Sequence, residues 1–479
     1  MMMDFNLIPL LPEIFLALVA MGLLIVGAVQ GHGATSVVST ASLVACVIAA
    51  VCLLGVGWNA QVVMNGMFKM DGFAGFMKLV VLAGLAASLA LSFRYLSQEG
   101  MARFEYPVLV ILSGIGMMVM LSAHNFLSLY MGLELQSLSL YVLAAFHRSS
   151  LKSAEAGVKY FILGALSSGM LLFGISLLYG FSGTLDFGLF AETLKPLTVV
   201  PLGVTFGLVF VLAGLSFKIS AAPFHMWTPD VYQGAPTTVT AFFAMVPKIA
   251  AFGLLMRLLF EPFAVLSDQW TQIIIFLSVL SMLVGAFAAI AQNNFKRLLA
   301  YSSIGNMGYA LLGLVAGTPE GASAVIVYLV IYMLMTAGVF AVVLSMRRYG
   351  LALSEIKDLS GLSKTSPALA YSLCLLMFSM SGIPPAAGFF GKLLVFNALV
   401  AKGYFALAVF GVLTSVVAAF YYLRVIKVMF FDEAGEPFDG EMPFARRAVL
   451  CISIVFVLGF VLKPSFLVDG AISAASVLF

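Results

Sequence analysis

Six ionisable residues in this sequence sit where a charge is costly. Lys78, Glu134, Lys159, Lys218, Lys248 and Lys392 all fall inside long apolar runs. A charge near the centre of a bilayer-spanning helix costs roughly 2.5–3.5 kcal/mol on insertion scales, and residues kept there commonly line an ion or proton path. A buried amine beside a carboxylate takes up or releases its proton when the partner moves or the hydration changes. Lysines and a glutamate of this kind are therefore candidates for a proton relay.

The sites differ in how sharply they point to that chemistry. Glu134 lies about ten residues into its run, too deep to reach the interface, with Ser137 and Tyr141 on its helical face at i+3 and i+7. Glu134, Lys218, Lys248 and Lys392 favour a functional role. Lys159 has Glu155 at i−4, and a structural ion pair and a relay weigh equally there. His225 follows Lys218 by seven residues and has the type of side chain that exchanges protons near neutral pH. A satisfied structural histidine beside Trp227 is an equal reading of it. Lys78, close to the start of its run, reads better as a lysine whose stem snorkels to the interface.

Other chemistry finds no support. There is no phosphate-binding loop, GxSxG or HExxH motif. Histidines 32, 124, 147 and 225 are scattered, and Cys46, Cys52, Cys374 and Cys451 form no CxxC pair. The expectation is that this chain performs no bond chemistry itself and holds no metal or cofactor.

The elements that carry these residues follow from composition. Of 479 residues 62% are hydrophobic and only 9% are charged. That excludes a soluble globular domain, a disordered chain and a nucleic-acid binder. Apolar runs of 20 or more residues exclude an outer-membrane barrel and predict an all-α polytopic membrane protein. Fourteen spans are predicted, near 9–30, 37–57, 72–94, 106–122, 124–146, 155–181, 200–220, 236–260, 270–291, 297–316, 321–346, 366–401, 404–430 and 447–466. The start, Met1 to Phe5, lacks the basic n-region of a signal peptide, so the first span is expected to be retained. Fourteen Lys and Arg residues then fall on one side and five on the other, which places both termini outside by the positive-inside rule.

Two spans carry their own interruptions. The seventh contains Pro223 near Lys218, and the twelfth contains Pro384 and Pro385 near Lys392. Proline removes a backbone donor and breaks a helix, and such backbone survives at membrane depth only where protein or a water-filled cavity satisfies it. Paired interruptions about 160 residues apart point to two repeated halves with an ion site between them.

Three stretches bear a resemblance to a known family: KISAAPFHMWTPDVYQGAPTTVTAFFAMVPK (218–248), QNNFKRLLAYSSIGNMGYALLG (292–313) and SGIPPAAGFFGKLLVF (381–396). They resemble the antiporter-like membrane subunits of respiratory complex I, the proton-pumping NADH:quinone oxidoreductase. A lysine at 392 and a chain ending after the fourteenth span are nearest to the bacterial N-type members. The resemblance implies two inverted five-helix repeats, spans 4–8 and 9–13, with helices 7 and 12 broken. It divides the chain into an N-terminal three-helix segment (1–105), a first repeat (106–260), a second (270–430) and a C-terminal loop and helix (431–479).

It also implies a Glu134–Lys218 pair, a connecting Lys248 and an exit-side Lys392, with His225, Lys159 and Glu155 auxiliary. NADH, FMN, iron–sulfur clusters and quinone would belong to other subunits. The partners implied are other membrane-arm subunits, lipid and protons, in the bacterial inner membrane. The alternatives are a related Na⁺/H⁺ antiporter, a membrane-bound hydrogenase complex or a purely structural subunit. The halves depart from symmetry: span ten offers Ser302 and Ser303 where Glu134's mirror would lie, and span eleven offers Tyr328, Tyr332 and Thr336 but no charge.

Overall fold

The computed structural model describes residues 6–196 and 199–479; the sequence start that was read for a signal peptide lies outside them. The chain opens with α1 (Leu11–Gln30), α2 (Thr35–Val56) and α3 (Gly72–Gln98), with a small antiparallel hairpin of β1 (Gln61–Val63) and β2 (Phe68–Met70) before α3. Then come α4 (Glu105–Leu121), α5 (Phe126–Ala144), α6 (Leu151–Ser182), α7 (Phe187–Leu194), α8 (Leu202–Lys218), α9 (Trp227–Gly234) and α10 (Thr237–Phe260). A second series follows: α11 (Ser267–Ile290), α12 (Phe295–Val315) and α13 (Pro319–Val343). After a two-residue hairpin, β3 (Arg347–Arg348) with β4 (Leu351–Ala352), come α14 (Leu362–Thr365), α15 (Pro367–Ser381), α16 (Ala387–Ala401) and α17 (Phe405–Phe431). The last two helices are α18 (Phe444–Leu462) and α19 (Ser465–Ser476).

Among the described residues, 11 helices are long and apolar enough to cross a membrane. The shorter α4 and α8 coincide with two more of the expected spans, and α15 with α16 divides another. Six features escaped the sequence reading: the two hairpins, α7 within the connection after span six, α9 and α14 in later connections, and α19. Helices begin where a polar side chain satisfies a free backbone N–H. Asp71 accepts from Ala74, Asn125 from Leu127 and Asn294 from Arg297.

The centre is formed by α10, α12 and α13. Every side chain of α10 is buried, Lys248 and Arg257 included. On the periphery Ile25, Val51, Val416 and Val455 are exposed, as lipid-facing helices require. One packing device occurs twice. Gly116 on α4 lies so close to α5 that an added Cβ would stand 2.5 Å from the Gln136 nitrogen. Gly285 on α11 meets α12 in the same way, 2.4 Å from the Gly305 nitrogen. Small residues let membrane helices approach backbone to backbone.

Both expected helix breaks are present. After Lys218 the chain leaves the helix, Ser220 turns through φ 61°, and helix resumes at Trp227; Pro223 lies in the gap. After Ser381, Gly382 turns through φ 85°, and helix resumes at Ala387 beyond Pro384 and Pro385. Pro247, by contrast, is absorbed inside α10 without ending it.

Lys78 does not snorkel. It is fully buried and pairs with Glu13 of α1 at 2.5 Å, with its ammonium 4.4 Å from the Phe68 ring centre. The sequence could not show that the packing of α1 on the first half would bring a carboxylate to it.

Candidate proton-relay site

Lys218 is the last residue of α8, so its charge sits at a helix C-terminus, where the backbone dipole favours a cation. Its ammonium donates to Ser137 Oγ at 2.8 Å and to Tyr141 Oη at 3.3 Å. These are the residues one and two turns along α5 from Glu134. Glu134 itself makes no ion pair with Lys218 within 4 Å among the described residues, and its Oε1 is buried without a hydrogen-bond partner. The expected contact pair is thus a lysine held by two hydroxyls, with an unsatisfied carboxylate on the same helix face.

Lys392 repeats the arrangement in the second half. Its ammonium donates to the Ser381 carbonyl, at the C-terminal end of α15, at 3.1 Å, and to Ser415 Oγ of α17 at 2.7 Å. It also lies 4.6 Å from the Tyr309 ring centre. At each break, then, stands a buried lysine: Lys218 as the last residue before the first, bound to hydroxyls of α5, and Lys392 beyond the second, bound to the carbonyl that ends α15.

Lys248 stands between them. It donates to Ser303 Oγ and lies 5.4 Å from the Tyr232 ring centre. Ser303 also accepts from Tyr332 Oη at 2.8 Å. On the neighbouring residue, Ser302 Oγ and Tyr422 Oη are 2.5 Å apart; one turn on, Asn306 bonds Ser302 and accepts from Tyr328 Oη at 2.7 Å. Further along the same face of α12, Tyr309 Oη donates to Thr414 at 3.3 Å, one residue from Lys392's partner Ser415. These are three separate hydrogen-bonded clusters, and together their hydroxyl and amide groups make α12 a polar seam that runs from Lys248 toward Lys392.

Among the described residues no such seam joins Lys218 to Lys248. Ring contacts fill that region: Tyr141 on Tyr160 (4.9 Å), Tyr160 stacked on Trp227 (4.4 Å), and Trp227 against Tyr232 (6.3 Å). The Trp227 indole donates to the Phe217 carbonyl at 3.0 Å, which locks the layer. The structure is therefore asymmetric, aromatic in the first half and hydroxyl-lined in the second.

The auxiliary residues are arranged differently from the central lysines. Lys159 pairs with both Glu155 and Asp230 at 2.7 Å, and Asp230 also binds Arg297 at 2.6 Å. All four are partly exposed, at one end of α6, α9 and α12, so this is an ion network at a surface. His225 is half-buried in the break after α8, its Nδ1 without a partner among the described residues, and it touches neither lysine. Lys296, one residue before the expected span 297–316, is buried and donates to the Ala235 carbonyl at 2.8 Å.

Sequence reasoning missed Asn306, Tyr309, Thr414, Ser415 and Tyr422. A signal existed in Ser302, Ser303, Asn306 and Tyr309, spaced at one helical face of an otherwise apolar span.

Residues 123–418 match the transmembrane family of NADH:quinone oxidoreductase and Mrp antiporter subunits. The chain belongs to this family. The matched segment holds Glu134, Lys218, Lys248 and Lys392 and excludes the Glu13–Lys78 pair. Relatives named NADH-quinone oxidoreductase subunit N are 54% identical in Parvibaculum lavamentivorans, over 98% of this chain and 97% of the relative. The relative of the same name in Rhodospirillum rubrum is 52% identical over 98% and 97%. A chain of respiratory complex I from Thermus thermophilus is 34% identical, covers 96% of this chain and 98% of its own length, and superposes with a TM-score of 0.81. A chain of the Mrp complex from a Dietzia species shares the fold, with a TM-score of 0.84 at 23% identity, over 99% of this chain and 98% of its own. The family thus keeps one helical fold across its complex I and antiporter branches.

Proposed function

We propose that this chain is the N-type membrane-arm subunit of a bacterial proton-pumping NADH:quinone oxidoreductase, and that it moves protons through Lys218, Lys248 and Lys392. The observation that carries the reading is the placement of three buried lysines in a chain whose full-length relatives bear the subunit N name. Lys218 and Lys392 flank the two helix breaks, and Lys248 lies between them.

In this reading Glu134 sets the charge near Lys218. A displacement of α5 relative to α8 alters the hydroxyl contacts at Ser137 and Tyr141 and thereby the hold of Lys218 on its proton. Water must bridge the aromatic layer for a proton to reach Lys248. From there the Ser303, Asn306 and Tyr309 face of α12 leads toward Lys392. Glu155, Lys159 and Asp230 form an ionic entrance at one surface, with His225 auxiliary.

The paired breaks and the repeated glycine crossings support two repeats over 106–260 and 270–430, with 1–105 and 431–479 as flanking segments. The bias of Lys and Arg supports both termini on the outer side of the cytoplasmic membrane. The redox steps, with NADH, FMN, iron–sulfur clusters and quinone, fall to other subunits.

The test is Lys218→Ala in the intact complex. Proton pumping and NADH-driven quinone reduction should both fall while the complex still assembles. Normal pumping by an assembled variant would overturn the relay, and sodium-dependent transport by the isolated chain would favour the antiporter branch.

A further inference from the structure

Away from the lysines, α1, α4, α5 and α6 enclose a groove of about 710 Å³. Leu112, Val142, Val158 and Phe161 form its apolar walls, and Val142, Val158 and Phe161 are more than half exposed. From Ala154 to Phe161 the groove runs roughly 10 Å along α6, into the depth of the membrane. Apolar surface of this extent in a membrane chain faces either acyl chains or another protein.

The two charged lining residues lie at one end. Glu105 opens α4, and Arg148 lies in the turn between α5 and α6; both belong to the same membrane face, because α4 and α5 run antiparallel. Arg148 is exposed and has no hydrogen bond or ion pair among the described residues, and Glu105 Oε2 is buried without a hydrogen-bond partner. A protein segment filling the groove would need both signs of charge at this mouth. A zwitterionic lipid headgroup carries both, a phosphate and an ammonium joined by a two-carbon linker.

We propose that this groove binds an acyl chain of a primary-amine phospholipid, with the phosphate on Arg148 and the ammonium on Glu105. Guanidinium suits phosphate through paired N–H donors. A primary ammonium has three N–H donors for a carboxylate, whereas the quaternary ammonium of choline has none. Phosphatidylethanolamine is therefore preferred over phosphatidylcholine. The acyl chain lies against Tyr141, the residue whose hydroxyl holds Lys218 on its other side.

The experiment uses the intact complex containing this chain, purified in detergent and exposed to a phosphatidylethanolamine probe with a photoreactive diazirine in its acyl chain. Mass spectrometry maps the labelled residues. Labelling should concentrate on Leu112, Val142 and Phe161, and unlabelled phosphatidylethanolamine should compete several-fold better than phosphatidylcholine. Arg148→Ala and Glu105→Gln should each lower labelling several-fold. If a variant does not assemble, headgroup competition on the unaltered complex decides alone. Labelling spread evenly over α2 and α17, equal competition by the choline lipid, or no groove labelling because a neighbouring subunit covers it would each overturn the proposal.

Discussion

Lys248 of α10 donates to Ser303 of α12, so the central lysine is anchored to the helix that lines the second half of the molecule. Ser303 has a second donor in Tyr332. One small hydroxyl therefore fixes both an ammonium and a phenol in a fully buried site. Removing it leaves the lysine without that acceptor, and an unsatisfied buried polar group costs about 1–3 kcal/mol, more when charged.

Ser303→Ala should accordingly lower NADH-driven proton pumping in the assembled complex several-fold, while Ser303→Thr, which keeps the hydroxyl, should retain most of it. Fluorescence quenching in inverted vesicles, normalised to complex content on native gels, reads the difference. Equal pumping by the alanine variant and the unaltered complex would remove Ser303 from the path.

The hydroxyls at Lys218 should show a graded effect. Ser137 is the nearer acceptor at 2.8 Å and Tyr141 the farther at 3.3 Å. Ser137→Ala should slow pumping more than Tyr141→Phe, and the double variant should approach Lys218→Ala. If the double variant pumped normally, Lys218 would not depend on these contacts.

The Glu13–Lys78 pair predicts a different signature. Breaking one member of a buried pair costs on the order of 3–5 kcal/mol, because the remaining charge is left without a partner. Lys78→Met alone should sharply reduce assembly or thermal stability of the complex. Glu13→Gln with Lys78→Met should recover much of the loss. No recovery in the double variant would show that Lys78 contributes something other than a structural pair.

The two glycines that meet where α11 crosses α12 are unequal in one instructive respect. A Cβ at Gly285 would meet backbone at 2.4 Å, whereas one at Gly305 would find its nearest atom at 3.6 Å, an ordinary contact. Gly285→Ala should therefore push α11 from α12 and reduce the assembled complex, while Gly305→Ala should be tolerated. Thermal unfolding of the purified complex distinguishes them, and equal loss in both would contradict the packing.

Outside the spans, Glu261 caps a cluster with Arg257, His124 and Lys69. Burial raises its pKa, but the charges of Arg257 and Lys69, with His124 3.6 Å away, outweigh burial and hold it down at about 2. A depressed carboxylate contributes stability that is fully present above its unfolded pKa, here about 4.5, and is lost as pH falls toward about 2. A shift of that size corresponds to about 3 kcal/mol. Glu261→Gln should therefore lower thermal stability at pH 6, and the gap from the unaltered complex should narrow as pH falls from 5 to 3. A gap independent of pH would sink this account.

What could be read from the sequence was set by chain-local physics. Membrane class follows from apolar runs long enough to span a bilayer, because hydrophobic length is a property of contiguous residues. The breaks at Pro223 and at Pro384–Pro385 follow from a missing N–H, also local. The cost of burying Lys218, Lys248 and Lys392 marked them whatever surrounded them. Partners were different, since they are chosen by helices far apart in the chain. Packing of α5 on α8 gave Lys218 to Ser137 and Tyr141 rather than to Glu134. Packing of α1 on the bundle turned Lys78 from a snorkelling residue into half of a buried pair. The crossing of α10, α12 and α17 gathered Ser303, Asn306, Tyr309 and Ser415 into a polar seam. Sequence periodicity assigns a residue to a helix face; which other helix meets that face depends on how all the helices bury one another, and only the tertiary structure decided it.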